Sequence, residues 1–186
     1  MASEIGSAAV SLSEWLKRDA NNEVNVRRKM LKFLPDAIAA ARRSKDRSTR
    51  VGAVVVDDDY NMRISGYNGF ARGVNDEIDA RHERPAKYRW TSHSEENCVA
   101  QAARIGVSLR GCTLILTSLF PCTTCSRLII QSGIKRVIAP EFNMPGKLSE
   151  GRVDWDEEAQ TAMEMLVEGG VQIWTYTETE YVAARI

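Results

Sequence analysis

The apolar positions fall into runs of two kinds, and their order along the chain predicts an alternating α/β fold. Val51-Gly-Ala-Val-Val-Val56 is a continuous apolar run of strand length, the pattern of a strand buried on both faces. Residues 62–67 read as a second strand, and Asp57-Asp58-Asp59 between the two marks a turn, so the pair predicts a hairpin. Three adjacent acids could hold a cation, but a solvated turn is the ordinary use of such a run. Ahead of the hairpin, Val26, Met30, Leu34, Ala37, Ile38 and Ala41 recur at helical spacing. They predict a helix over 26–43 that Pro35 either kinks or restarts in a fresh first turn. Residues 68–90 form a long polar loop with four arginines, and a loop of that length is usually functional or mobile.

Beyond the loop the helical period returns. A helix begins at Thr91 or Ser92 and runs to about Ile105, with Val99, Ala102 and Ala103 facing inward. A strand follows over 112–117, then a helix over 122–132 stopped by Gly133. The remaining elements are a strand over 135–139, a helix over 154–168 stopped by Gly169-Gly170, and a strand over 171–176. The expected architecture is therefore α/β, three layers in α/β/α order around a central mixed five-stranded sheet. Residues 1–25 are expected to be an N-terminal arm, with Ser13-Glu14-Trp15-Leu16-Lys17 opening a short helix. Residues 26–186 are expected to form one domain; Met144-Pro-Gly-Lys147 and Leu148-Ser-Glu-Gly151 are loop signals rather than a boundary.

Two short stretches carry chemistry: His93-Ser94-Glu95, and Pro121-Cys122-Thr123-Thr124-Cys125. Cys-x-x-Cys puts two thiolates one helical turn apart, within reach of a single ion. His93 offers a third ligand, which leaves one tetrahedral position for water, as a catalytic zinc requires. Both stretches fall at expected helix starts, where the positive end of the helix dipole favours thiolate. Glu95 need not be a ligand and could face the water. In the chemistry this predicts, zinc lowers the pKa of its water, hydroxide attacks the amidine carbon of a base, and Glu95 shuttles protons to the ring nitrogen and departing ammonia. The ordered pair resembles the His-x-Glu and Pro-Cys-x-x-Cys signature of zinc nucleobase deaminases.

Each stretch has a plainer reading. Ser92-His-Ser-Glu95 is also a capping box, in which Glu95 would only bond the N-cap amide. Cys-x-x-Cys alone could be a redox pair, although no thioredoxin-like strand-and-Trp context precedes it. His82 could close the site as a fourth ligand, giving a Cys2His2 structural zinc with no catalytic opening. Cys98 and Cys112 read as small core residues.

Composition narrows the partners. The chain has 186 residues, 44% apolar and 27% charged, and its 25 Lys and Arg balance 25 Asp and Glu. A protein that binds a long nucleic-acid backbone usually carries a basic excess, so none is expected here, and no apolar run is long enough for a membrane helix. Met1 to Val10 lacks the apolar run of a secretory leader. A reducing cytoplasm is therefore expected, and the four cysteines read as thiols or metal ligands rather than as a disulfide framework.

With these residues in hand, the chain resembles the deoxycytidylate (dCMP) deaminase family of the cytidine deaminase superfamily. The resemblance extends over Arg43-Ser-Lys-Asp-Arg-Ser-Thr-Arg-Val-Gly-Ala53, Gly66-Tyr-Asn-Gly-Phe-Ala-Arg-Gly73, Glu83-Arg-Pro-Ala-Lys-Tyr-Arg-Trp90 and Ile129-Ile-Gln-Ser-Gly-Ile-Lys-Arg136, roughly from Met30 to Trp174. It implies a cytidine deaminase-like fold, a Zn2+ cofactor and hydrolysis of dCMP to dUMP and ammonia, a step that feeds thymidylate synthesis. It also implies a homo-oligomer, with activation by dCTP and inhibition by dTTP. Departures occur at Arg47, Ala71, Cys98, Val99 and Ser126, none of which removes a ligand or the carboxylate. A dCMP substituted at carbon 5 remains an alternative substrate.

For substrate contacts, Asn68 has an amide suited to a sugar hydroxyl or base edge, or to a left-handed turn. Arg50, near Ser44, Lys45 and Ser48, suits a phosphate, or is a solvated loop charge. Tyr88 and Trp90 could stack on the base or pack the loop onto the core, and the Ser118 carbonyl could accept from the substrate amine. Two other functions compete: deamination of a nucleic-acid base, as in tRNA adenosine deaminases, and a non-catalytic zinc-stabilised binding module.

Overall fold

The computed structural model describes residues 22–143 and 153–185; the expected helix near Ser13 and the loop signals at 144–151 lie outside the described residues. The helical stretch 22–30 (α1) passes through a 3-10 turn, Leu31–Phe33, into α2, Leu34–Ala41. Pro35 sits in the first turn of α2, where its missing N–H costs nothing. The hairpin follows as β1, Gly52–Val56, and β2, Met62–Tyr67. Its turn is closed by the Asp57 carboxylate, which accepts from the amides of Asp59 and Asn61. The acidic run is thus a turn, and Asp58 pairs with Lys135.

The segment 68–90 is more ordered than a plain loop. It holds β3, Gly69–Phe70, a 3-10 turn at Asp79–Arg81, and the single helical turn α3, Lys87–Trp90. β3 pairs with β4, Thr91–Ser92, in the register Gly69↔Ser92 and Phe70↔Thr91. That pairing corrects the expected helix start: Thr91 and Ser92 are extended, His93 is the N-cap, and α4 spans Ser94–Ile105. β5 is Thr113–Leu116, α5 is Thr123–Gln131, and β6 is Arg136–Pro140. α6, Val153–Glu168, and β7, Gln172–Tyr176, follow. A final helix that the apolar pattern does not announce, α7, spans Glu178–Ala183.

The five strands lie in the order β2-β1-β5-β6-β7. β1 is antiparallel to both neighbours, whereas β5, β6 and β7 run parallel. Period-2 alternation splits the buried strands between two cores. Val54, Val56, Ile115, Ile138 and Tyr176 face α1 and α2, against Met30, Leu34, Ala37 and Ile38. Ala53, Val55, Leu114, Leu116, Val137 and Ala139 face the other way, onto Cys98 and Ala102 of α4, Ile129 of α5 and Ala162 and Leu166 of α6. Each fully buried Leu or Ile contributes about 1.5–3 kcal/mol, so the sheet is fastened from both sides.

Two helices approach the sheet closely through glycine. A Cβ on Gly52 would fall 2.0 Å from the Ala37 carbonyl oxygen, and one on Gly66 would fall 2.7 Å from both Cys98 Sγ and the Ser94 carbonyl oxygen. α4 is therefore seated on β2 at a fixed depth. Because β1 runs against β5, the chain before β1, the end of β2 and the loop after β5 all meet at one end of the sheet. The helix starts of α4 and α5 converge there.

Candidate active site

His93, Cys122 and Cys125 form one cluster, with their ligand atoms all within 4.8 Å of one another. His93 Nδ1 lies 3.5 Å from Cys122 Sγ and 3.4 Å from Cys125 Sγ. Nitrogen and sulfur ligands at ordinary zinc bond lengths, subtending a tetrahedral angle, lie about 3.5 Å apart. The donors therefore fit zinc in kind and in spacing. His82 does not complete the set: its Nε2 is 2.7 Å from the Asp76 carbonyl oxygen, and its ring packs on Phe70. That placement removes the four-ligand closed alternative.

Two residues of the cluster are helix N-caps, His93 of α4 and Cys122 of α5. A carboxylate serves the start of each helix, from within α4 in one case and from α6 in the other. Glu96 accepts from the His93 amide at 3.2 Å. Glu158, from α6, accepts from the Thr123 amide at 3.0 Å and from Thr123 Oγ at 2.7 Å. The capping-box reading of Glu95 is thereby corrected: Glu96, one residue on, does that work. Glu95 is buried, takes a hydrogen bond from Ser94 Oγ at 2.7 Å on Oε2, and faces a cavity.

The ligands polarise one another. The Cys125 thiol, donating to Cys122, brings the Cys122 thiol down to about 4 despite its burial, with His93 helping. The same hydrogen bond pushes Cys125 up. His93 rises to about 9, chiefly through its hydrogen bond with Cys122. These are protons that a bound cation displaces, so metal affinity in such a set rises with pH.

The cavity beside the cluster has a volume of about 410 Å³, within the range of small-molecule sites. His93, Ser94 and Glu95 line one part of it and Leu119, Phe120 and Ala159 supply apolar wall; Asp46, Asn68, Arg84, Lys87 and Tyr88 are polar. Leu119 holds a positive φ of 42°, a strained backbone of the kind found at ligand sites.

Residues 27–141 match the family model of the cytidine and deoxycytidylate deaminase zinc-binding region. The chain belongs to this deaminase family. A deaminase of Aliivibrio fischeri encoded in the luxG 3′ region, itself uncharacterized, is 38% identical over 87% of this chain and 93% of its own length. Human deoxycytidylate deaminase is 35% identical over 57% of this chain and 61% of its own length, so the chain matches under two thirds of that enzyme. Among solved structures, the dCMP deaminase of cyanophage S-TIM5 in complex with dCMP and dUMP has a TM-score of 0.59 at 24% identity, covering 77% of this chain and 93% of the phage chain. That likeness shows the fold. Zinc is the cofactor of the deaminase family, and His93, Cys122 and Cys125 are the residues of this chain fitted to hold it.

The other expected contacts are distributed unevenly in this deaminase. Asn68 lines the cavity, but its amide is engaged inside the protein: Oδ1 accepts from the Val51 amide, and Nδ2 donates to Asp46 Oδ2 and the Thr49 carbonyl. Tyr88 lines the cavity and is half exposed. Arg50 is exposed, and neither it nor Ser118 nor Trp90 is in the cavity wall; the Trp90 ring is covered by the Arg81 guanidinium at 3.9 Å. Cys98 and Cys112 are buried free thiols in the core, as expected, and burial pushes both up.

The residue that sequence reasoning missed is Asp46. Its carboxylate accepts from the Ser48 and Thr49 amides at 2.8 and 3.0 Å, from Asn68 Nδ2, and from Lys87 Nζ at 2.7 Å. Burial alone would raise this carboxyl, but Lys87 and the two amides together hold it down at about 2. The available signal was an aspartate two and three residues ahead of loop amides, the pattern of an Asx turn.

Proposed function

We propose that this deaminase hydrolyses dCMP to dUMP and ammonia, as a member of pyrimidine deoxynucleotide metabolism. The observation that carries the reading is the juxtaposition of an open three-ligand cluster, a buried non-ligand carboxylate and a cavity of mononucleotide scale. The dCMP deaminase relatives, and the phage enzyme described with dCMP and dUMP, support the choice of substrate.

When bound, zinc supplies Lewis-acid activation of a water, lowering its pKa toward neutrality. The protein's part is positioning and proton transfer. Glu95, fixed at Oε2 by Ser94 Oγ, takes a proton from the attacking water and passes it to the ring nitrogen beside the reacting carbon. The same carboxyl then takes the proton of the added hydroxyl and gives it to the departing amine, so that ammonia leaves and the carbonyl of dUMP remains. Its buried place in the cavity wall, beside His93, puts the Glu95 carboxyl where both transfers are made. Leu119, Phe120 and Ala159 form apolar wall around the reacting ring. Asn68 acts by holding the β1 and β2 ends in place, with Tyr88 nearer the ligand. Among the described residues no helix is long and apolar enough to cross a membrane.

Ammonia release from dCMP, CMP, deoxycytidine and a tRNA, using zinc-loaded protein of measured metal content, tests the reading. The expected order puts dCMP first; turnover of the tRNA with dCMP inert would overturn it. Including 5-methyl-dCMP in the same assay resolves the substituent at carbon 5. Homo-oligomerisation and control by dCTP and dTTP belong to the same reading, and are checked by light scattering and by kcat/KM with each triphosphate.

A further inference from the structure

The cavity wall contains two cationic side chains, Arg84 and Lys87, and they are in different electrostatic states. Lys87 is neutralised: Nζ contacts both carboxylate oxygens of buried Asp46, at 2.8 and 2.7 Å, and Ser48 Oγ at 2.6 Å. Three other cations of the neighbouring loops are engaged too. Lys45 pairs with Asp76, Arg47 pairs with Asp79, and Arg81 lies on Trp90 while donating to the Asn75 carbonyl. Arg84 alone of the two wall cations has no acidic partner among the described residues. Its one hydrogen bond runs from Nε to Tyr88 Oη at 2.8 Å, one turn further along the chain.

That bond orients both groups. With Nε committed to the phenol, the Nη edge of the guanidinium remains as a fork of donors. With an Oη lone pair taken by Arg84, the Tyr88 hydroxyl proton is available to a second acceptor. Both side chains are exposed and both line the cavity, so they stand at its mouth, whereas Glu95 is buried in its wall. A fork of guanidinium donors beside a phenolic O–H is chemistry for a tetrahedral oxyanion.

We propose that Arg84 and Tyr88 together form the phosphate-binding end of the cavity and select a nucleoside monophosphate over the nucleoside. This rests on the deaminase reading above, and it assigns the phosphate to Arg84 rather than to Arg50, which lies outside the cavity wall. Lys87 contributes the floor: its pair with Asp46 holds the segment carrying Arg84 and Tyr88 against the loop before β1.

The test compares dCMP with deoxycytidine in zinc-loaded wild type, Arg84→Gln, Arg84→Lys and Tyr88→Phe. Loss of charge-assisted bonds to phosphate raises KM for dCMP by about 10- to 100-fold in Arg84→Gln, with kcat nearly kept and deoxycytidine turnover unchanged. Arg84→Lys recovers part of the loss, and Tyr88→Phe shows a smaller rise of about 3- to 10-fold. A parallel fall for dCMP and deoxycytidine would mean a merely structural role, and an unchanged KM for dCMP would place the phosphate elsewhere; either result overturns the assignment. Thermal stabilisation by dUMP relative to deoxyuridine gives a readout without turnover. Wild type should gain more from dUMP, and Arg84→Gln should lose that advantage; an undiminished advantage also overturns the assignment. If wild type leaves dCMP intact yet shows Arg84-dependent stabilisation by dUMP, the reading of dCMP as substrate falls and the anion site stands.

Discussion

Glu95 and Glu96 are adjacent in sequence and separated in function by about 100° of helix rotation. Glu96 accepts from the His93 amide and is a cap; Glu95 is buried in the cavity wall against Ser94 Oγ. Glu95→Gln should keep zinc content and thermal stability while lowering kcat on the order of 100- to 10,000-fold, the range for loss of an acid–base group. Glu96→Gln should instead leave kcat within a few-fold and lower stability by about 0.5–1 kcal/mol, the scale of a weakened cap. Metal analysis, thermal melts and kinetics on the two variants check the division of labour, and an active Glu95→Gln enzyme would remove the proposed mechanism. At this scale the candidate metal cluster was legible because zinc demands particular donor atoms at short fixed spacings. Asn68 was legible only as a residue in the right place. Whether its amide is spent on Val51, Asp46 and Thr49 or offered to a ligand is decided by partners 17 to 22 positions away.

At the scale of elements, the candidate site depends on helix ends whose N-cap residues, His93 and Cys122, belong to the cluster. The sequence pattern locates α5 closely, yet nothing in its own segment shows that the first amide of the helix, at Thr123, is capped by Glu158, 35 residues further on. The start of α4 was misplaced for a related reason. Thr91 and Ser92 satisfy a helix-start pattern, but their pairing with Gly69 and Phe70 holds them extended. Long-range partners override local preference in both places. Glu158→Ala should therefore weaken zinc binding by about 10-fold, as loss of a group supporting a ligand does, and competition with a chelator measures it. Gly66→Ala tests the seating of α4. Its new Cβ would meet Cys98 Sγ and the Ser94 carbonyl oxygen at 2.7 Å, so α4 must shift, costing about 1–3 kcal/mol as overpacking does. Since His93 and Glu95 ride on that helix, kcat should fall as well; a variant of full stability and activity would show that α4 is not held by this contact.

Across the whole molecule, the Asp46–Lys87 pair joins segments that the chain keeps far apart. It ties the loop before β1 to the helical turn before β4 and, through Asn68, to the end of β2. The Asp46 side chain is 2% exposed and that of Lys87 12%, so the pair is nearly dry, and its worth differs with the way it is perturbed. Protonation removes the charge of Asp46 only where acid reaches its depressed pKa. The folded value is about 2 against an ordinary 3.8, so the native state favours the ionised form. The resulting stabilisation, about 2 kcal/mol, is fully present above pH 4 and is lost as the pH falls through 2. Wild type should accordingly lose stability relative to Asp46→Asn between pH 4 and pH 2 in denaturant titrations. At pH 7 the order of the variants is informative. Asp46→Asn leaves Lys87 buried and uncompensated, which costs about 3–5 kcal/mol. Asp46→Asn with Lys87→Met removes both charges and should recover much of that loss, because replacing a buried pair by apolar volume is often close to neutral. A double variant no more stable than Asp46→Asn would mean that the hydrogen bonds to Ser48, Thr49 and Asn68, rather than the ion pair, hold these three segments together.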